Sequence, residues 1–298
     1  MTSSSPSWSR GVQPQNLVEK IWSRHAVTQL EDGETLLYVD RVLVHEGSWW
    51  SVVDILRAVG RGVHRPSSVI ACTDHYVPTS DRARGHAGIA DERRRELILR
   101  LENEGRELGV EVIGMMDERQ GILHVVAPER GSTHPGMVIV GTDSHTSTHG
   151  ALGSLAFGIG TTEATHAMAT QTLWQAAPRT MRITVNGRLT GSAAAKDLIL
   201  TIIARLGVGR GAGLFVEYAG SAIEALSVEE RLTLCNMSIE MGARACIVAP
   251  DETTFEYLAG RPGAPQGREW DTALAYWKTL RSDEHARFDR EVTIDGSA

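Results

Sequence analysis

The stretch VIVGTDSHTSTHGALGSLAFGIGTTEAT, residues 138–165, decides how the chain is read. It opens on a short β-branched run, Val138-Ile139-Val140, closed by Gly141, which is the pattern of a buried strand. A polar turn follows, Thr142-Asp143-Ser144-His145. Glycines at 150, 153, 158 and 160 then lead into a helix expected over 161–175. Asp143, Ser144, His145, Thr146 and His149 carry side chains that can move protons or bind ligands. The glycines let backbone segments approach closely around them. Open α/β sheets place their sites just beyond the carboxyl ends of strands, so this turn is a candidate site.

Working toward the N-terminus, LLYVDRVLV (36–44) is a β-type run ending on His45-Glu46. SSVIACTDHYVPT (67–79) repeats the strand-then-polar-turn pattern. Its strand, Val69 to Cys72, delivers Thr73-Asp74-His75 to a turn that Pro78 keeps from continuing. Helices are expected over 16–26, 51–60 and 88–108, the last with Leu97, Ile98, Leu101 and Leu108 on one face. A strand is expected over 110–115. GILHVVAPER (121–130) reads as a short β-like run holding His124.

Toward the C-terminus, Gln175 to Pro178 reads as a boundary. Beyond it, strands are expected from Met181 (with an Asn186-Gly187 turn signal) and over 214–220, 244–250 and 288–296. Helices are expected over 195–206, 227–241, 251–259 and 272–281. Strand and helix alternate throughout, which predicts an α/β fold with mainly parallel sheets. Two domains, 16–178 and 179–298, would follow a disordered Ser/Pro/Gln-rich tail, 1–15.

The chain's 298 residues suffice for two such cores. A net charge of −7 gives no reason to expect a nucleic-acid partner, and Arg93-Arg94-Arg95 reads as a solvated helix face. The opening MTSSSPSWSRG has no apolar core of an export signal, and no apolar run approaches the roughly 18 residues of a membrane span. A cytoplasmic protein is the expectation. The odd cysteine count (Cys72, Cys235, Cys246) argues against disulfides, and the spacings fit neither a Zn nor an Fe–S site. Cys235 and Cys246 read as buried small hydrophobes.

Each chemical group has two readings. Asp74-His75 is either an acid–base pair, the carboxylate raising the imidazole pKa, or a helix cap beside a surface histidine. Asp143-Ser144-His145 tempts a nucleophilic triad. Adjacent residues do not readily set up the relay, however, and no GxSxG elbow exists. Local capping by Asp143 stands equally. His124, in an apolar segment, fits a hydrogen-bonded core histidine. Asn236 and Glu240, spaced i, i+4, share a helix face that is otherwise apolar, where the Glu would need a partner such as a histidine. GVGRGAG (207–213) matches neither phosphate-loop pattern. These residues reach a protein suited to proton transfer, a lyase or isomerase of polar acids, and no further.

Several segments resemble the aconitase superfamily. They are YVDRVLVHE (38–46), TDH with Pro78-Thr79 after it, GILHVVAPERG (121–131), GTDSHTSTHGALGSLAFGIGTTE (141–163), GRLTGSAAAKDLIL (187–200) and LCNMSIEMGARACIVAPDETTFEYL (234–258). The likeness runs from about residue 16 to 296. Within the superfamily it is strongest to the isopropylmalate dehydratase large subunits of leucine biosynthesis, which AYWKTL near the end also matches.

The resemblance implies a hydro-lyase that dehydrates a hydroxy-dicarboxylate and rehydrates it in the swapped position. A 4Fe–4S cluster acts as Lewis acid in that family. Carried onto this sequence, the catalytic pairs are Asp74–His75, with His75 the acid, Asp143 with His124, and Glu240 with His145. Ser144 would contact a substrate carboxylate and Asn236 would lie near the cluster. The chain departs from the family in lacking its CTNSR-type loop and CxxC, so no cluster ligand is expected among these residues. A cysteine-bearing domain or subunit and a small swivelling subunit, the source of base and arginines, are the expected partners. Trp49-Trp50 stands where a TSPQ-like stretch is usual, which opens two alternatives: a related hydro-lyase with another substrate, or a non-catalytic truncated or assembly subunit.

Overall fold

In the computed structural model, which describes residues 13–297, the strands form two sheets. In chain order they are β1 (Ala26–Gln29), β2 (Glu34–Tyr38), β3 (Arg41–His45), β4 (Val69–Cys72), β5 (Glu111–Ile113), β6 (Val138–Gly141), β7 (Leu155–Gly158), β8 (Thr172–Ala176), β9 (Arg179–Asn186), β10 (Leu214–Ala219), β11 (Ala245–Val248) and β12 (Arg290–Asp295). Nine lie in one sheet in the order β12-β9-β10-β11-β7-β6-β3-β4-β5. Its strands are parallel except where β7 meets β11 at Ala156 and Cys246. The remaining three, β1-β2-β8, make a small antiparallel sheet.

Every residue of β4, β6 and β11 is buried, as continuous apolar runs covered on both faces require. Helices Glu46–Ala58, Glu92–Glu107 and Thr161–Thr170 accompany the first half of the sheet, and Ala195–Leu206 and Val228–Asn236 the second. The two sequence segments flanking residue 178 thus join one continuous sheet. Because the join is antiparallel, the carboxyl ends of β3, β4 and β6 share an edge with the start of β11.

Several expectations are corrected in detail. The apolar run 36–44 is two strands in two sheets. Its corner is fixed by Asp40, whose Oδ2 accepts from Val138 N at 2.8 Å and lies 2.7 Å from His25 Nε2. The segment 121–130 is not β-like: Leu123–Glu129 is helical, its first N–H donating to Asp74 Oδ2 at 2.8 Å. That cap comes from 49 residues away and leaves no local trace in the sequence. The helix expected over 161–175 stops at Thr170. Gln171 turns left-handed, at φ 55°, and its Nε2 donates to Tyr38 Oη and the Val39 carbonyl, releasing 172–176 to pair with β2. The helix expected over 227–241 becomes a 3-10 turn from Met237 to Met241, ending on Gly242 at φ 87°. The tail expected over 1–15 falls outside the described residues up to residue 12. Gln15 N donates to Asp283 Oδ2 at 2.8 Å, and its carbonyl accepts from Asp283 N at 2.9 Å.

The glycine spacing of the opening stretch has a steric cause. A Cβ on Gly150 would sit 1.8 Å from the Cys246 carbonyl oxygen, and one on Gly158 would sit 2.8 Å from that of Asp143. The turn over 144–152 therefore lies directly on β11, and β7 passes directly under the polar turn.

Candidate active site

The turns after β3, β4 and β6 meet at the carboxyl edge of the first half-sheet. Between β3 and β6 the chain changes the direction in which it adds strands, the switch point where open sheets leave a crevice. Asp143 follows β6 and accepts from His145 N through Oδ1 at 2.6 Å, capping the 3-10 turn Ser144–Leu152. The same carboxylate is also the centre of an imidazole cluster. Its Oδ2 lies 3.0 Å from His75 Nε2, and its Oδ1 lies 3.3 Å from His124 Nε2 and 3.5 Å from His145 Nδ1. Capping and pairing, alternatives in the sequence, are both true of Asp143.

The second carboxylate on His75 is Asp74, at 2.6 Å from Nδ1. Asp74 is fixed in turn by Leu123 N on its other oxygen. Hydrogen bonds from His75 to Asp143 and to Asp74 outweigh the penalty of burial and raise the imidazole pKa from 6.5 to about 10. Burial pushes the Asp143 carboxyl up, but His124, His75 and the His145 N–H reverse this and leave it well below the usual carboxylate range. An imidazolium between two carboxylates is therefore the resting state at neutral pH. Its side chain keeps 40% of its surface exposed.

The third pair, His145 and Glu240, is looser, with Nε2 to Oε1 at 3.4 Å. Glu240 sits on the 3-10 turn and is 55% exposed, not on the buried side of a helix. Asn236 Oδ1 accepts from Thr148 Oγ1 at 3.1 Å, tying the helix end to the same turn. Ser144 Oγ is 3.2 Å from His145 Nδ1 and faces the outside of the cluster. Every site residue expected from sequence thus lies on this one edge.

Two groups, Glu46 and His45, escaped the sequence reading, and a third, His149, was named there without a partner. Glu46 is fully buried and accepts from the backbone N–H groups of Asp74, His75 and Tyr76 at 3.0, 2.8 and 2.6 Å, so it shapes the turn that presents His75. His45 stacks on His75, ring centroids 3.9 Å apart, and its own pKa is lowered by burial and by that neighbour. His149 is fully buried between His124 and Thr133, at 3.1 and 2.8 Å, and burial keeps it neutral. The local signal for Glu46 was a carboxylate directly after a buried strand. For His149 it was an imidazole inside a glycine-spaced buried run.

His45, Glu46, Asp74 and His75 bring potential ligand atoms within 4.8 Å of one another. The oxygens of Glu46 are occupied by three N–H groups and both nitrogens of His75 by carboxylates, so the quartet is a hydrogen-bonded unit.

One matching family model spans residues 19–298, that of the aconitase family (aconitate hydratase). The chain belongs to the aconitase family. Its fold and its hydro-lyase type follow from that membership. Family members generally use a 4Fe–4S cluster, and the three thiols here do not fit one. Cys72, Cys235 and Cys246 are all buried, with the thiols of Cys72 and Cys235 pushed up by burial. The Cys246 thiol donates to the Cys235 carbonyl inside the core, at 3.2 Å. Cys72 lies in β4, away from both. Among the described residues no helix is long and apolar enough to cross a membrane.

Trp49 and Trp50 point away from the imidazoles. Trp49 is core, its Nε1 donating to Glu104 Oε2 at 3.1 Å, and Trp50 lies 41% exposed on the flank. The group this segment offers the site is Ser48 Oγ, 2.5 Å from Thr142 Oγ1.

Proposed function

We propose that this chain carries the acid half of an isopropylmalate dehydratase. It would interconvert 2- and 3-isopropylmalate in leucine biosynthesis, within a hetero-oligomer. The observation that carries the reading is the convergence of Asp74–His75, Asp143–His124 and Glu240–His145 on one sheet edge. The substrate assignment rests on the isomerase-type segments LCNMSIEMGA and AYWKTL.

Loss of a hydroxyl needs a proton delivered to it as the C–O bond breaks. His75 is charged at neutral pH and positioned by Asp74 through Nδ1. Its Nε2–H rests on Asp143 and would pass to the departing hydroxyl once substrate displaces that contact. Asp143 keeps its place because His145 N and His124 hold its other oxygen. His149, neutral and immobile, orients His124. Return of the proton from water restores the imidazolium. The base, and the thiols for the family's cluster, would come from outside these 298 residues.

The test is co-expression with a chain bearing CTNSR and CxxC motifs and with a small swivelling subunit. The assembled complex should dehydrate isopropylmalate, read by alkene absorbance. An assembled, iron-loaded complex inactive on isopropylmalate but active on citrate or a methylmalate would overturn the substrate. Inactivity on all three would overturn the catalytic reading.

A further inference from the structure

A cleft of about 460 Å³ opens beside the imidazole cluster. Thr142, Ser144, Gly160, Ile239 and Gly242 to Arg244 line it. This is the size of a small-molecule site. Ser144 belongs to both places, since its hydroxyl touches His145. Arg244 is half-buried and lies over the Phe157 ring, 5.0 Å from its centroid. Its Nη2 donates to Gln175 Oε1 at 3.2 Å, and among the described residues no carboxylate comes within 4.0 Å of the guanidinium. Two other arginine forks, by contrast, are engaged by acids, Arg231 by Asp251 and Arg119 by Asp117. Burial presses the Arg244 pKa down, and the charge of Glu163 opposes this only in part. A planar guanidinium aligned by an aromatic face and an amide, yet left without an anion, suits a ligand carboxylate. The helix Thr161–Thr170 also opens on the cleft at Gly160, whose N–H donates to Glu163 Oε2 at 3.0 Å.

We propose that Arg244, with the Ser144 hydroxyl in the same cleft, binds one carboxylate of the hydroxy-dicarboxylate and so positions the other end of the molecule at the imidazole cluster. Arg244 acts here as a positioning residue, and its place in the reaction rests on the hydro-lyase reading above. The first element of the motif GAR (242–244) is already explained: Gly242 has the left-handed φ that ends the 3-10 turn. Arg244 follows at the start of β11, where the antiparallel join brings it beside β7.

The test has two arms. Succinate is titrated into the full chain by calorimetry, with inorganic phosphate in a parallel titration. Saturable succinate binding is expected, weakened roughly tenfold or more in Arg244→Gln and partly restored in Arg244→Lys. A Kd unchanged in Arg244→Gln, no saturable succinate binding by the wild type, or binding of phosphate alone would each overturn the proposal. The urea midpoint of each variant shows whether it is folded, and Arg244→Lys is read where the Gln variant is not. Succinate cannot react, so this arm survives failure of the hydro-lyase reading. In the assembled complex, Arg244→Lys should raise KM with kcat little changed. A fall in kcat with KM unchanged in a folded variant would overturn the positioning role.

Discussion

Asp143 and Asp251 occupy matching places in the two halves of the sheet and do different work. Each follows a buried strand, and each caps the next turn through its own carboxylate, to His145 N and to Thr254 N. Each also binds a cationic side chain. Asp251 is clasped by both Nη atoms of Arg231, at 2.8 and 2.6 Å, and that guanidinium is entirely buried. Asp143 faces imidazoles, one of them 40% exposed. An arginine fork cannot release a proton in the working range and locks its position. An imidazolium between two carboxylates can release one and remains within reach of solvent. The lesson is that strand-end geometry alone does not make a site. The partner's capacity to titrate and its access to a ligand do.

The comparison can be broken by removing one partner on each side. His75→Gln should lower dehydration per folded molecule by about 10³-fold in the assembled complex, an effect of the size usual for a lost general acid, beside the loss of the stability its ion pairs contribute. Asp251→Ala should instead destabilise the chain by about 3 kcal/mol in urea titrations, because Arg231 is left charged and buried. Its activity per folded molecule should hold. If the two variants exchanged phenotypes, the assignment of the two edges would be reversed.

The pH dependence sharpens the same contrast. His75 has a folded pKa raised above its ordinary 6.5, so its contribution to stability is full below that value and is lost as pH rises through about 10. Asp143 has a lowered pKa, so its contribution is present above 3.8 and fades as pH falls below it. Urea midpoints followed from pH 5 to 10.5 should decline at the alkaline end, and Asp143→Asn should shift that decline to lower pH. The smallest effect is expected at Trp50. Trp50→Ala should change stability by no more than about 0.5 kcal/mol, since the ring lies on the surface.

How far the sequence led follows from the range of the interactions. Buried parallel strands such as Val138-Ile139-Val140 show as unbroken apolar runs, and the polar turns after them mark the site edge, so α/β class and most site residues were legible. Local grammar extends to the caps at Asn16, Asp91 and Ser227, where side chains accept from their own helices. It failed where a distant group decides. The helix at 123–129 depends on Asp74, the split of 36–44 depends on Val138 and His25, and the shape of the 73–76 turn depends on Glu46. The carboxylate–imidazole pairings were implied by family resemblance rather than by pattern, and the cleft beside Arg244 exists only once β7 and β11 are adjacent.

The most direct test of the account is the protonation state of His75 in the isolated chain, followed by NMR titration of selectively labelled imidazoles. The account predicts that His75 stays protonated through neutrality and titrates near 10, and that Asp143→Asn and Asp74→Asn each bring it down. A His75 that loses its proton near 6.5 in the wild-type chain would contradict it.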